Sequence, residues 1–186
     1  KLHSLARHDA DNTLFVFAVA QQLGLDLHNV AQRLASYRGP NQRLQKQTLR
    51  LAKHCQITIV DDSFNSSPTA VKGALEAIAH LQGFDRKIFV FGDMLELSSD
   101  PSDVHKQMAE VIKANGFSHL ITVGEHSRVM KAAADKNFSV THFEDVDAAR
   151  DHLYKMAHHN DLVLVKGSHG SNVYQLVGKL KQSLST

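Results

Sequence analysis

The chain has 186 residues, of which 42% are hydrophobic and 22% charged, a composition that excludes a disordered or fibrous protein. The net charge is +2 and charges of both signs are interspersed, so no basic stripe predicts a nucleic-acid partner. No apolar run approaches the roughly 18 residues of a membrane span, and the single cysteine, Cys55, excludes an intrachain disulfide and favours a reducing compartment. We therefore expect a cytoplasmic protein that contacts neither membrane nor nucleic acid, and we take it to be a monomer.

The first part of the chain has a helical pattern. Residues 12–23 are rich in Ala, Leu, Val and Phe, and Gly24 follows them as a helix stop. A second helix is predicted over residues 27–36, before the sequence Arg-Gly-Pro-Asn breaks the pattern. This pair of helices is too small to bury its own apolar face, and the chain starts at Lys1 rather than methionine. We therefore predict that residues 1–45 are the helical end of a preceding domain.

Beyond about Thr48 the pattern changes to short apolar runs that alternate with helical segments. The predicted strands are residues 56–60, 87–91, 119–123, 139–143 and 161–165. The predicted helices are residues 68–80, 101–115, 127–135, 146–158 and 171–184. The run at 139–143 is the least apolar, so we place it nearest an edge. The alternation predicts an α/β fold, a Rossmann-like and mostly parallel sheet with helices on both faces, preceded by a short helical segment.

Polar segments follow four of the five predicted strands, at residues 61–68, 92–97, 124–126 and 166–170. In an open parallel sheet, ligands bind outside the carboxyl ends of the strands. The four segments should therefore crowd one edge of the sheet, where they bring together carboxylates, amides, hydroxyls and one ammonium group. Such a set suits a ribose, the edge of an adenine or a zwitterionic peptide.

Each of these residues also has a purely structural interpretation. Asp61 and Asp62 are candidates to cap the turn into the next helix, and Ser67 before a proline is typical of a helix N-cap. Gly92-Asp93 is compatible with a simple turn. Lys166-Gly167-Ser168 is not a phosphate loop of the usual kind, whose pattern occurs nowhere in the chain. The histidines lack the spacing of paired ligands, so we predict no metal site.

Five segments together resemble the Mur ligases that add D-alanyl-D-alanine. Residues 60–68, Val-Asp-Asp-Ser-Phe-Asn-Ser-Ser-Pro, are similar to the family's DD-(S/T)-YNANP segment. Residues 89–97 resemble its V-L-G-D-M-x-E-L strand and loop, and residues 163–168 resemble its closing V-L-V-K-G-S. Upstream, residues 8–12 resemble H-N-x-x-N and residues 42–45 resemble G-R-x-(E/Q). The order and spacing also agree, and the Gly-Asp-Met-Leu-Glu-Leu loop is the most specific piece.

The resemblance implies an ATP-dependent ligase that joins D-alanyl-D-alanine to UDP-N-acetylmuramoyl-tripeptide in peptidoglycan synthesis. ATP would convert the peptide carboxylate to an acyl phosphate, which the dipeptide amine attacks, with Mg²⁺ bridging the phosphates. Residues 46–186 would be the carboxy-terminal α/β domain of such an enzyme, and residues 1–45 the end of its central ATPase domain. The amino-terminal and central domains, with most Mg²⁺ ligands, would lie outside this chain, so we expect the chain alone to be inactive.

The resemblance also implies roles for residues on the nucleotide side of the site. Asp62 would accept hydrogen bonds from the ATP ribose hydroxyls. Asn65 and Asn12 would read the adenine edge, since an amide offers both a donor and an acceptor. Arg43 would reach the ATP phosphates across the domain cleft, because a planar guanidinium suits phosphate, and we count it among the catalytic residues.

Other residues are candidates for the incoming dipeptide. Lys166 is the second predicted catalytic residue, and the resemblance brings it near the dipeptide with Ser168. The loop after the second predicted strand contributes Asp93, Met94 and Glu96 as further dipeptide-binding candidates. The order of the segments along the chain implies that both groups meet at the same sheet edge as the nucleotide residues.

This sequence departs from the family's pattern at several positions. Phe64 replaces the usual Tyr, and Ser67 replaces the second Asn of its motif. Gln42 replaces the Gly before the arginine, and Asp9 replaces the Asn after the histidine. His169 stands where an Arg usually follows Lys-Gly-Ser, which puts in doubt a permanent cation near the dipeptide or substrate carboxylate.

Two other classes of protein are compatible with parts of the sequence. A phosphoacceptor receiver domain also carries paired acids after one strand and a lysine after another, which Asp61, Asp62, Asp93 and Lys166 imitate. The spacing argues against it, because Asp93 follows the second predicted strand rather than the third and Lys166 lies too far along the chain. A dinucleotide-binding domain is also disfavoured, since no G-x-G-x-x-G follows any predicted strand.

Overall fold

A computed structural model of the chain describes residue 5 and residues 7–52 and 55–182. The strands are β1 (Gln45–Ala52), β2 (Cys55–Asp62), β3 (Arg86–Gly92), β4 (His119–Val123), β5 (Ser139–Phe143) and β6 (Asp161–Lys166). They form one sheet in the order β1-β2-β6-β3-β4-β5, in which β1 is antiparallel to β2 and the other neighbours are parallel. The mostly parallel sheet confirms the predicted fold class.

Helices cover both faces of the sheet. They are α1 (Arg7–Gln22), α2 (Leu27–Ser36), α3 (Pro68–Ala79), α4 (Pro101–Ala114), α5 (Val146–Met156) and α6 (Gln175–Gln182), with 3₁₀ helices at His126–Ala133 and His169–Ser171. Prolines begin α3 and α4, where their missing N–H has no helical partner to lose. The helix predicted at 127–135 is a 3₁₀ helix in the structure, and the closing helix begins four residues later than predicted. Residues 183–184 of that prediction lie outside the described residues.

All five predicted strands are present, and β5 lies at an edge of the sheet as its weaker hydrophobicity indicated. The sequence prediction misses β1, which pairs with β2 at the opposite edge. Only Leu49 and Leu51 of β1 are buried large apolar residues, while the alternate residues Lys46, Thr48 and Arg50 are exposed. Such a half-exposed antiparallel strand contains no continuous apolar run, so the criterion that identifies buried parallel strands does not detect it.

The strands send alternate side chains into two apolar layers. In β3, Phe89 and Phe91 pack into the layer beneath α3 and α4, whereas Ile88 and Val90 pack into the layer beneath α5 and α6. All four side chains are fully buried. A sheet that is filled on both faces in this way holds its strand ends in fixed positions, and the loops that leave those ends are positioned with them.

The amino-terminal helices pack less completely than the rest of the chain. Helix α1 starts at Arg7, earlier than predicted, and Gly24 follows it with a positive φ of 66° that suits a helix stop. Several of its large apolar side chains are exposed, namely Leu14, Phe15, Val16 and Val19. The expected unburied apolar surface is therefore present, while the division of the chain at residue 45 stays a prediction. None of the described helices is both long and apolar enough to cross a membrane.

Candidate functional site

An ion pair joins the carboxyl ends of the neighbouring strands β2 and β6. Asp62 and Lys166 are cross-strand partners, and the Lys166 Nζ lies 2.6 Å from the Asp62 Oδ2. The same ammonium donates to the backbone oxygen of Asn65 at 3.0 Å, and the Asp62 Oδ1 accepts from the Leu44 amide at 3.2 Å. Because Lys166 is almost fully buried and bound to these oxygens, it fixes the loop after β2 more than it presents a free cation.

A cavity of about 890 Å³ opens beside this ion pair, a volume within the range of small-molecule sites. Its walls come from α1, the segment between α2 and β1, the loop after β2 and the first turns of α3. All four residues predicted for the nucleotide line this cavity, and so does Lys166. They are Asn12, Arg43, Asp62 and Asn65.

Arg43 is held against the loop after β2. Its guanidinium carbon lies 4.3 Å from the centre of the Phe64 ring, a cation–π contact. The neighbours Gln42 and Leu44 both have positive φ, 60° and 48°, which is uncommon for residues other than glycine. The Phe64 amide donates to the Gln42 oxygen at 3.1 Å, so the unusual backbone is tied directly to the loop. Strained backbone of this kind concentrates at functional sites.

The loop after β2 also prepares the start of α3. The Ser67 hydroxyl accepts from the Ala70 amide at 3.2 Å, which confirms the N-cap interpretation of this residue. The Asn65 Oδ1 accepts from the Ser66 amide at 2.8 Å, and this bond fixes which atom of the amide is the oxygen. The Asn65 NH₂ group, with two donors, is not used in that bond.

The adjacent acids Asp61 and Asp62 point to different environments, because successive side chains of a strand alternate between faces. Asp62 borders the cavity, whereas Asp61 is buried and accepts hydrogen bonds from the Ser63 hydroxyl and amide at 2.5 and 3.3 Å. Burial raises the pKa of Asp61, and the Ser63 hydrogen bonds partly oppose that rise. Asp61 therefore shapes the turn, and Asp62 is the acid available to a ligand.

Two of the dipeptide candidates after β3 are occupied by internal contacts. The Asp93 carboxylate accepts from the amides of His126 and Ser127 at 3.0 and 2.8 Å, and a side chain on Gly124, whose φ is 111°, would come within 2.6 Å of it. Met94 is completely buried in the apolar core. The structure gives both side chains supporting positions rather than open ones, which also removes Asp93 from the exposed acids that a receiver domain needs.

Glu96 and Ser168 remain on the loops that face outward from the sheet edge. Glu96 is exposed, whereas the Ser168 hydroxyl accepts from the Leu95 amide at 3.1 Å. The Ser168 amide donates to the backbone oxygen of Asp93 at 2.9 Å. Two hydrogen bonds thus join the loops after β3 and β6, so the carboxyl ends of these strands form one connected rim.

His105 on α4 supports this rim, and sequence reasoning missed it. Its buried Nε2 accepts from the Met94 amide at 3.1 Å, and its Nδ1 lies 2.6 Å from the Pro101 oxygen. Both contacts require a neutral ring with the proton on Nδ1. Burial lowers the pKa of His105, in agreement with that state. A histidine on the apolar face of a helix was the available signal, but it does not identify the partner.

His169 stands on the outer rim, where the family pattern has arginine. Its ring stacks on Tyr174 with centroids 4.6 Å apart and an angle of 3° between planes, and lies 6.4 Å from the Phe64 ring. The position therefore carries a stacked, exposed imidazole rather than a guanidinium. Among the described residues, no group of three or more histidine, cysteine, aspartate or glutamate side chains comes together as a metal site.

A mostly parallel α/β sheet whose strand-end loops border a cavity of ligand size, with charged and amide side chains in its wall, is typical of a Rossmann-like domain that binds a small molecule. The family described as "Mur ligase, glutamate ligase domain" matches residues 42–169, which include the loops after β2, β3, β4 and β6. Because the match covers more than half of the sequence, the chain belongs to this family.

Two curated relatives with similar sequences carry the same name. The UDP-N-acetylmuramoyl-tripeptide–D-alanyl-D-alanine ligase of Bacillus subtilis is 26% identical over 182 residues, which cover 96% of this chain and 39% of the relative. The enzyme of the same name from Rickettsia prowazekii is 26% identical over 173 residues, covering 93% of this chain and 37% of the relative. The chain thus spans less than two fifths of the length of these relatives.

Solved structures share the fold. MurF from Acinetobacter baumannii superimposes with a TM-score of 0.81 at 20% identity, covering 95% of this chain and 38% of that one. A MurF ligase from Thermotoga maritima, solved in complex with ADP, superimposes with a TM-score of 0.68 at 23% identity, covering 90% and 36%. At these identities the similarity establishes the fold and does not establish the site.

Proposed function

We propose that this chain is the part of an ATP-dependent ligase that holds the nucleoside of ATP and faces the incoming dipeptide. The whole enzyme would be cytoplasmic and would add D-alanyl-D-alanine to UDP-N-acetylmuramoyl-tripeptide in peptidoglycan synthesis. The name shared by these two relatives supports this reaction, and the ADP bound in the Thermotoga maritima structure supports the nucleotide. The single observation that carries the proposal is the convergence of Asn12, Arg43, Asp62 and Asn65 on one cavity.

These cavity residues would contact different parts of the nucleotide. Asp62 offers carboxylate oxygens to the ribose hydroxyls, and its bonds to Lys166 and Leu44 hold it in position. Asn65, from the loop after β2, and Asn12, from α1, contact the adenine edge. Arg43 leaves or tilts from the Phe64 ring to reach the phosphates, which need a cation when charge develops on them. We assign Lys166 a positioning role, because its ammonium is already bound to Asp62 and Asn65.

The rim formed by the loops after β3 and β6 would face the dipeptide. Glu96 is the exposed acid there and suits the dipeptide ammonium, while Ser168 holds the two loops together. Asp93 and Met94 support the loop from beneath, through the 3₁₀ helix and the core. His169 would assist the dipeptide carboxylate only when protonated, which follows from its place in the family's arginine position.

Magnesium belongs to the proposed reaction, but the described residues do not fit a Mg²⁺ site. Mg²⁺ prefers several oxygen ligands in octahedral geometry, and no three His, Cys, Asp or Glu side chains converge in the described ranges. Asp62 is already engaged with an ammonium. We therefore derive no step through the metal from this chain, and we propose that its ligands lie in the amino-terminal and central domains of the enzyme.

Calorimetric titration of the chain with ADP tests the nucleotide role. Asp62→Asn should weaken ADP binding by about tenfold or more, since hydrogen bonds to a charged acceptor contribute about 1.5–3 kcal/mol. Asp151→Asn, an exposed acid of α5 paired with Arg150, is the matched control and should bind ADP like the wild type. Thermal melts confirm that each variant is folded.

Two results would contradict the proposal. The first is a folded wild-type chain that does not bind ADP, or an Asp62→Asn variant that binds it as tightly as the control. The second is phosphate release by the chain alone with ATP, Mg²⁺ and both substrates, because the parts that hold the acyl group would lie elsewhere.

A further inference from the structure

The Ser66 hydroxyl is a buried polar group without a partner in the protein. Ser66 lines the cavity and is 5% exposed, yet its Oγ makes no hydrogen bond to any described residue. The other side-chain atom in this state among the described residues, the His142 Nε2, still lies 3.5 Å from the Glu144 carboxylate. Buried polar groups are nearly always satisfied, so an unsatisfied hydroxyl in a cavity wall indicates a partner that arrives from outside the chain.

The fold does not require a hydroxyl at this position. In the DD-(S/T)-YNANP segment that residues 60–68 resemble, an alanine stands where this chain has Ser66. The backbone of Ser66 is already engaged, since its amide donates to the Asn65 Oδ1 at 2.8 Å and its carbonyl oxygen lies 3.5 Å from the Ser168 Oγ. The side chain is therefore carried on an anchored backbone, and rotation about the Cα–Cβ bond redirects only the hydroxyl.

The neighbouring amide explains what the hydroxyl would add. An adenine edge presents both an amino donor and ring-nitrogen acceptors, and one asparagine usually pairs with both. Here the Asn65 Oδ1 accepts the Ser66 amide, whereas its NH₂ group is still able to donate. A hydroxyl acceptor beside Asn65 would let the loop after β2 also reach the adenine amino group, in addition to the amide that Asn12 offers from α1. Ser66 is the next residue in the same cavity wall, and its Oγ, which is closed off in the present rotamer, would turn toward the base by rotation about the Cα–Cβ bond.

We propose that the Ser66 hydroxyl accepts a hydrogen bond from the 6-amino group of the adenine, beside the donor supplied by Asn65. This inference rests on the proposed function, because it assumes that the cavity takes the base of ATP. The facing surface of α3 leaves space for a planar ring, since Gly73 also lines the cavity and a Cβ there would meet no atom within 4 Å.

The experiment compares two nucleotides in two proteins. Wild type and Ser66→Ala are titrated with ADP and with purine riboside 5′-diphosphate, which lacks only the 6-amino group. We expect Ser66→Ala to weaken ADP binding by about threefold to tenfold, the usual worth of one neutral hydrogen bond. The same substitution should leave the affinity for purine riboside diphosphate unchanged, because the group that Ser66 binds is missing.

The melting temperature provides a second readout. Ser66→Ala removes a buried hydroxyl that lacks a partner, so the nucleotide-free variant should melt at the same temperature as wild type or higher. The matched control, Ser118→Ala, removes a hydroxyl bonded to Lys87 at the other end of the sheet and should leave both affinities unchanged.

Several outcomes would overturn the inference. If Ser66→Ala weakens the binding of both nucleotides equally, its effect on the cavity is indirect. Unchanged ADP affinity would show that Ser66 makes no contact with the base. A fall of several degrees in melting temperature would indicate an internal partner for the hydroxyl. If wild type binds ADP and Asp62→Asn weakens it while Ser66→Ala does not, only this inference fails. If wild type binds neither nucleotide, the proposed function fails with it.

Discussion

Strand β6 carries an ion pair at each of its ends, and the two pairs lie in different surroundings. At its start Asp161 faces Arg86 of β3, and at its end Lys166 faces Asp62 of β2. Both pairs join cross-strand neighbours at an N···O distance of 2.6 Å. About 16 Å of strand separates them. The same interaction can therefore be compared in one strand at a closed end and at an end beside a cavity.

At the closed end every contact is internal. The Asp161 side chain is 0% exposed, and its two oxygens accept from the Arg86 Nε and Nη2 at 2.8 and 2.6 Å. A further bond comes from the His158 amide at 2.7 Å, and Arg86 also donates to the Met156 oxygen. The bidentate contact with Asp161 raises the pKa of Arg86. This pair fastens the end of α5 to the sheet and offers nothing to a ligand.

At the other end the pair is surrounded by groups that remain available. Asp62 retains 14% of its side-chain exposure where it borders the cavity, while Lys166 retains 3%. Close by are the Arg43 guanidinium, which lies over the Phe64 ring, and the Ser66 hydroxyl, which is unsatisfied among the described residues. Burial of an ion pair therefore does not by itself identify a site. The unsatisfied and strained groups beside the pair do so.

The largest expected effect concerns the closed end. Asp161→Ala leaves the Arg86 guanidinium unpaired and should lower the free energy of unfolding by about 3–5 kcal/mol, as measured by urea denaturation. The ADP affinity of the folded protein should not change. Lys106→Met, which breaks an exposed pair with Asp103, is the control and should cost no more than about 1 kcal/mol. A stability loss as small as the control's would show that the Arg86–Asp161 pair does not hold the fold together. Weaker ADP binding would show that the two ends of β6 are not independent.

A smaller loss of stability is expected at the end beside the cavity. Lys166→Met should lower the free energy of unfolding by about 2 kcal/mol, less than at the closed end because water in the cavity can solvate the remaining Asp62 carboxylate. In this case ADP binding should weaken by about tenfold, since Asp62 and the Asn65 backbone lose their common anchor. Urea denaturation and calorimetric titration measure the two quantities. Unchanged ADP affinity would mean that this pair also serves only the fold.

The sequence is sufficient to predict most of the sheet because four of the five predicted strands are nearly continuous runs of apolar residues. It is also sufficient to predict the edge that carries the site, since parallel strands deliver their loops to one side. Strand β1 escapes prediction because its apolar residues Leu49 and Leu51 alternate with exposed ones. The difference is physical, since one strand type is defined by local composition and the other by the neighbour it pairs with.

The directions of individual side chains are harder to predict than the positions of the loops. Asp61 and Asp62 are chemically equal in the sequence, and only the alternation of β2 decides which one reaches the cavity. Met94 belongs to a motif that resembles a ligand loop, yet its side chain fills the core beneath that loop. The Met94 partner, His105, comes from a helix that the sequence places without indicating its contacts. Tertiary packing sets each of these outcomes, so no local pattern contains them.

The smallest expected effect is the pH dependence of the free energy of unfolding that comes from His105, the residue that supports the loop after β3. Burial holds the pKa of His105 below its ordinary value of 6.5, so the folded state resists a proton that the unfolded state accepts. The free energy of unfolding should therefore fall as pH decreases below about 6.5, where the unfolded state binds more protons. Burial also lowers the pKa of His119 and His152, which contribute to the same slope.

Urea denaturation at a series of pH values between about 5 and 7.5 isolates the part due to His105. His105→Gln retains an oxygen that can accept the Met94 amide but has no proton to gain, so its stability should depend less steeply on pH than that of wild type. His28→Gln, on the exposed face of α2, is the matched control and should keep the wild-type slope. If His105→Gln and wild type have parallel pH profiles, the neutral ring of His105 does not hold the loop after β3. The fully internal bonding found at the closed end of β6 then does not extend to this loop.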